Sequence, residues 1–145
     1  MKVRDILAHK GRDVVTVRPD ASVSTLVHRL ALERIGALVV SEDGVRIQGI
    51  VSERDIIQTL AERGEDTLRP ELHVADIMTR HVVTCTEDDS VKDVMGIMTR
   101  SRIRHLPVVD GGRLAGLVSI GDVVKNRVEE VELEATVLRE YIHMH

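Results

Sequence analysis

Ser52 and Asp55 stand three residues apart behind a glycine in GIVSERD (49–55), and Ser119 and Asp122 are spaced the same way in GLVSIGD (116–122). A serine followed three positions later by an aspartate suits the first turn of a helix. The serine hydroxyl accepts from a free amide and the carboxylate bonds back to the serine amide. Losing such a cap costs on the order of 1 kcal/mol. The same residues also suit a ligand. The free amides and positive end of a helix attract a phosphate, and a neighbouring carboxylate can take both hydroxyls of a ribose cis-diol. A glycine ahead of the strand lets backbone and ligand approach closely. The phrase alone leaves capping and binding both open.

The elements that carry the phrase are themselves repeated. A shift of 68 positions lays Val14-Val15-Thr16 on Val82-Val83-Thr84, Asp20 on Asp88, Ser22-Val23 on Ser90-Val91, Arg34-Ile35 on Arg102-Ile103 and Gly44 on Gly112. One residue drops out in the turn, and the two phrases then match. VRDIL (3–7) echoes VADIM (74–78) ahead of each copy. Ser22 with Val23, Leu26, Val27 and Leu30, and Ser90 with Val91, Val94, Met95 and Met98, give a cap and an amphipathic helical stripe. Short strands are predicted over 37–40 and 105–109, each followed by a glycine turn, a second strand and a helix from Ser52 or Ser119. The order is β-α-β-β-α, and the fold class is α+β. The predicted divisions are a first repeat over 1–64, a linker over 65–73, a second repeat over 74–126, and a C-terminal helix and tail over 127–145. One such repeat is marginal alone, so two are expected to pack about a local two-fold axis with two equivalent clefts.

The chain of 145 residues has a formal net charge of −4, and neither feature draws it to nucleic acid or an anionic membrane. No apolar run has the length of a membrane span. The single cysteine, Cys85, permits no intrachain disulfide, so a cytoplasmic setting is expected. With no Phe, no Trp and one Tyr, the core must be aliphatic, and a bound base would have no aromatic platform.

Cys85 falls on a strand position and reads as a buried small hydrophobe rather than a nucleophile. In TRSRIRH (99–105), strand alternation would send Arg102 and Arg104 to one side and Ile103 and His105 to the other. Pro107 belongs at a sheet edge or bulge. His143 and His145 read as a tail rather than a metal site. From Val124 to Ile142 a helical stripe of Val124, Val128, Val131, Ala135, Leu138 and Ile142 points to a partner subunit.

The paired pattern of V-x-T, the Ser-Val helix start, IRHLPVVD and GLVSIGD resembles the cystathionine-β-synthase (CBS) domain. Two tandem copies over 1–126 resemble a CBS pair, or Bateman module. The resemblance implies an adenosine-nucleotide sensor with AMP as ligand, or alternatively ADP, ATP, NAD(H) or S-adenosylmethionine. It implies that the Asp of each phrase holds the ribose, and that a cleft combines the opening Thr of one copy with the Asp phrase of the other. One cleft would comprise Thr16, Ala21, Ile35, Gly36, Leu117, Ser119 and Asp122. The other would comprise Thr84, Asp89, Ile103, Arg104, Ile50, Ser52 and Asp55, with Arg54 and His105 as phosphate contacts. Gly121 stands where the first copy has Arg54, and Gly36-Ala37 where the second has Arg104-His105, so the clefts are expected to be unequal. The expected protein is a homodimeric regulatory module, not an enzyme, reporting energy or redox state to an unknown partner. Its rival is a ligand-free dimerisation scaffold.

Overall fold

The computed structural model describes residues 1–144. The chain forms two compact units. The first comprises Asp13–Val83 with Gly111–Leu114, and the second Met1–Arg12, Thr84–Asp110 and the chain from Ala115 onward.

In the first unit, strand β1 (Thr16–Val17) pairs parallel with β2 (Ala37–Val40), which pairs antiparallel with β3 (Gly49–Ser52). Having a neighbour on both edges and cover on both faces explains why all four residues of β2 are aliphatic and buried. Helix α2 (Val23–Glu33) buries Val23, Leu26 and Leu30, as its stripe predicts, and Ser22 Oγ accepts from the Thr25 amide at 3.1 Å. Helix α3 (Glu53–Arg63) follows β3 directly, and a 3-10 turn (Gly64–Leu68) follows it. Within the stretch read as a linker, Thr67 is fully buried and its hydroxyl donates to Thr59 O at 3.3 Å. The short helix α4 (Val74–Ile77), the echo of the opening helix, belongs to this unit. Val74 N–H donates to Ala21 O at 2.8 Å, and the Val74 side chain joins the core of Val17, Leu26, Leu38, Val40 and Val51.

The second unit repeats the plan. Helix α5 (Val91–Ser101) is capped by Ser90, whose Oγ accepts from the Asp93 amide at 3.0 Å. Strand β4 (His105–Asp110) pairs with β5 (Arg113–Ser119), and Cys85 bridges Val108 in parallel. Helix α6 (Ile120–Met144) runs without a break through position 126. Helix α1 (Val3–Lys10) sits in this unit, where Val3, Ile6 and Leu7 are buried with Val91, Val94, Leu106 and Val118. Each repeat's leading helix therefore completes the core of the unit built from the other repeat.

Two local expectations need correction, and a third is met. Arg102 is not in a strand. Like its counterpart Arg34, it closes the preceding helix in the left-handed region, at φ 53° for Arg102 and 54° for Arg34, and β4 begins only at His105. Side-chain alternation therefore does not apply across 102–104. The expectation for Pro107 is met: it is buried in β4, an edge of its two-stranded sheet, whose other flank carries only the isolated Cys85–Val108 bridge. The Pro107 carbonyl accepts from Cys85 N–H at 3.0 Å. Its nitrogen faces the same flank, where pairing is a single bridge, so the missing donor breaks no ladder. The second correction concerns the phrase glycines. A Cβ on Gly49 would lie 2.6 Å from Met78 Sδ and 2.9 Å from Thr79 O, and one on Gly116 would lie 2.8 Å from Leu7 Cδ2. The space that the missing side chains leave is filled by the leading-helix segments of the protein itself.

Candidate functional site

The two serine–aspartate phrases sit where the sequence puts them, at the starts of α3 and α6. At Asp122 the capping box is complete. Ser119 N–H donates to Asp122 Oδ2 at 2.9 Å, and Asp122 N–H donates to Ser119 Oγ at 3.2 Å. At Asp55 the carboxylate accepts twice from Ser52, from its amide at 2.9 Å and its hydroxyl at 3.3 Å, so that hydroxyl is a donor to Asp55 Oδ2. The carbonyl ahead of each middle strand reaches the same helix start. Gly36 O accepts from Glu53 N–H at 3.0 Å, and Arg104 O accepts from Ile120 N–H at 2.7 Å.

The second unit adds a residue that the sequence reading missed. Lys10 Nζ lies 2.5 Å from Asp122 Oδ2 and donates to Leu117 O at 2.9 Å. Burial works against ionising Asp122, but the Lys10 hydrogen bond, the Ser119 amide and the lysine charge together carry its carboxyl below the ordinary 3.8. A folded value below the unfolded one stabilises the protein above pH 3.8, and that contribution is lost as pH falls through the folded value. Lys10 and Asp122 are 112 residues apart, so no local spacing could have signalled the pair.

A CBS-domain family model matches residues 3–62 and 74–129 of this chain. The chain belongs to the CBS-domain family. Among curated CBS proteins, it is 33% identical over 148 residues to the mitochondrial CBS domain-containing protein CBSX3 of Arabidopsis thaliana, covering 97% of this chain and 71% of that one. Among solved structures, the CBS-domain protein ATU1752 of Agrobacterium tumefaciens is 46% identical at a TM-score of 0.83, covering 88% of this chain and 99% of that one. The CBS domain pair of MJ0100, solved in complex with 5′-methylthioadenosine and S-adenosyl-L-methionine, is 26% identical at a TM-score of 0.71, covering 86% of this chain and 98% of that one.

The other residues of the two expected clefts lie as follows. In the first unit, Thr16 and Ala21 line one depression of about 530 Å³ together with Arg18, Arg29, Ser41 and Asp43. The Arg46 and Val45 amides hold the Asp43 carboxyl down to about 2. Ile35 packs on the core, Ile50 pairs with Val39 and bridges Thr79, and Arg54 is exposed. In the second unit, Thr84 and Arg104 are exposed, Ile103 packs on the core, and His105 is half-buried at the start of β4. Asp89 has a structural task there. Its carboxylate accepts from the Thr86 amide at 2.8 Å, and its carbonyl accepts from Val3 N–H at 2.9 Å, anchoring the start of α1. The structure thus joins Gly36 to the Ser52 phrase and Arg104 to the Ser119 phrase, each within its own unit.

Cys85 is buried, and burial followed by the Asp89 charge pushes its thiol up to about 12. A thiol so far from ionisation at neutral pH is a poor nucleophile. No described helix is long and apolar enough to cross a membrane. No metal-holding cluster of His, Cys, Asp and Glu occurs among the described residues, and His145 of the terminal HMH lies outside them.

Proposed function

We propose that this CBS pair is a regulatory module that binds an adenosine-type ligand, with AMP the first candidate and ADP, ATP, NAD(H) and S-adenosylmethionine the alternatives. One observation carries the reading: two copies of a serine–aspartate phrase, each at the start of a helix, put a carboxylate beside helix-terminal amides. A carboxylate suits a ribose diol, and helix-terminal amides suit a phosphate. The adenosyl ligands of the MJ0100 pair, which shares the fold at 26% identity, support the same class. In this reading the cross-copy grouping holds, with Thr16, Ala21, Ile35 and Gly36 serving the Asp122 phrase. Thr84, Asp89, Ile103, Arg104 and His105 serve the Asp55 phrase, together with Ile50 and Arg54. The role is regulatory rather than catalytic, in a cytoplasmic setting. Binding would act by favouring whichever arrangement of the pair has the higher ligand affinity.

Calorimetry tests the reading directly. Asp55→Asn and Asp122→Asn should each weaken AMP binding at their own site at least tenfold, about 1.4 kcal/mol. Variants that bind normally but melt early would reduce both aspartates to caps. A second reading, the ligand-free scaffold, draws on the fact that both carboxylates already have protein partners. A thermal-shift panel separates the two, since a ligand at 100 times its dissociation constant adds roughly 2.7 kcal/mol.

We also propose a homodimer. Val124, Val128, Val131, Leu138 and Ile142 recur at helical spacing on α6, and each is between 45% and 62% exposed in the single chain. A row of this kind on a long helix suits a second copy. Light scattering should return about twice the 16.2 kDa chain mass, and truncation after Lys125 should lower it. A full-length monomer at high concentration would exclude the dimer.

A further inference from the structure

We propose that Lys10 is a built-in competitor at Asp122, so that a ligand diol engages this half-site only by displacing an ammonium the fold itself supplies. This rests on the nucleotide-binding reading above. Lys10 is the last residue of α1, and that helix is fixed by fully buried Val3, Ile6 and Leu7 and by the Val3 bond to Asp89 O. From this anchored end, Nζ reaches Asp122 Oδ2 at 2.5 Å and Leu117 O at 2.9 Å. The Ser119 amide bonds the same Oδ2. One cation thus touches two of the residues assigned to this cleft. A cis-diol presents two donors and is best served by both oxygens of a carboxylate, so a ligand must take Oδ2 from Lys10.

The Asp55 half-site is built differently. Its described hydrogen bonds come from the neutral amide and hydroxyl of Ser52. Aligning VRDILAHK with VADIMTRH puts His81, which is exposed, in the place of Lys10. The two half-sites therefore differ in what a ligand must first remove. An uncharged nucleoside gives the displaced ammonium nothing in return, whereas a phosphate offers it a new partner. The Asp122 half-site accordingly discriminates against nucleosides that lack a phosphate.

The test uses adenosine, which cannot reward Lys10 with a phosphate contact, and calorimetry on the full chain. Asp55→Ala leaves the Asp122 half-site, and Lys10→Met in that background removes the charge while keeping the apolar stem. Adenosine should then bind about fivefold more tightly, the size of a partly exposed ion pair of about 1 kcal/mol. Lys10→Met combined with Asp122→Ala should leave adenosine binding at the Asp55 half-site unchanged. Lys10→Gln repeats the measurement if the Met variant melts early. Adenosine affinity that is unchanged, weaker or undetectable with Lys10 removed overturns the competitor role. Wild-type protein that binds neither AMP nor adenosine overturns the nucleotide reading itself, and this inference with it. Binding that ignores Lys10 overturns only the inference.

Discussion

Leu7→Ala is expected to cost the protein about 2–5 kcal/mol, the range for removing a large aliphatic side chain from a well-packed core. Leu7 belongs to the leading helix of the first repeat, yet it is 1% exposed within a cluster built from Val91, Val94, Leu106, Val118 and Val123 of the second. Its methyl groups fill the space that Gly116 leaves by having no side chain. Truncation opens a cavity over that glycine, and the backbone of β5 cannot collapse into it without dragging the Ser119–Asp122 phrase along. Urea unfolding should show a lower midpoint with an unchanged slope. Leu32→Ala on α2, where the side chain is 77% exposed, should stay within about 0.5 kcal/mol and serves as the control. A loss below about 1 kcal/mol for Leu7→Ala would show that α1 is not part of this core.

Gly49→Ala should be the costliest single-methyl addition, about 3 kcal/mol, at the top of the range for overpacking. The new methyl would meet Met78 Sδ at 2.6 Å and the Thr79 carbonyl oxygen at 2.9 Å. A side chain can rotate away, but Thr79 O cannot. It accepts from Ile50 N–H at 3.0 Å while Thr79 N–H donates to Ile50 O at 2.8 Å, and separating the strands strains both bonds. Gly121→Ala offers the opposite case within the second phrase. Its nearest neighbour would be Ser119 Oγ at 3.7 Å, and the site is a helical turn. There the substitution should be neutral or stabilising by about 0.5–1 kcal/mol, because alanine is the better helix former. If Gly49→Ala melts with wild type, the contact with Thr79 is looser than its geometry indicates.

What could be read in advance follows from the range of each interaction. Helices α2 and α5, with their caps at Ser22 and Ser90, were legible because a cap and its stripe lie within a few residues of each other. The repeat gave β2 and β4 for the same reason, each copy reporting on the other. Arg34 and Arg102 were visible as a matched pair, but their left-handed backbone was not, since glycine or asparagine is the usual residue there. Lys10 at Asp122 and Leu7 at Gly116 were out of reach because each joins positions more than 100 apart. The glycines looked like ligand-approach sites because a sequence shows that a side chain is missing, not what occupies the space.

The crossed assignment of α1 also sets an order of events during synthesis. Lys10 leaves the ribosome long before Val91–Ser101 of α5, the helix whose residues share its core. At 5–20 residues per second, the 81 positions from Lys10 to Val91 correspond to roughly 4–16 s. Throughout that interval Val3, Ile6 and Leu7 have no native core to enter. By residue 83 the first unit has its own short helix, α4, and lacks only Gly111–Leu114. It can condense while the opening helix still waits. On a nascent chain, an amphipathic segment of eight residues left in this state is an early target for any chaperone that reads exposed aliphatic sequence.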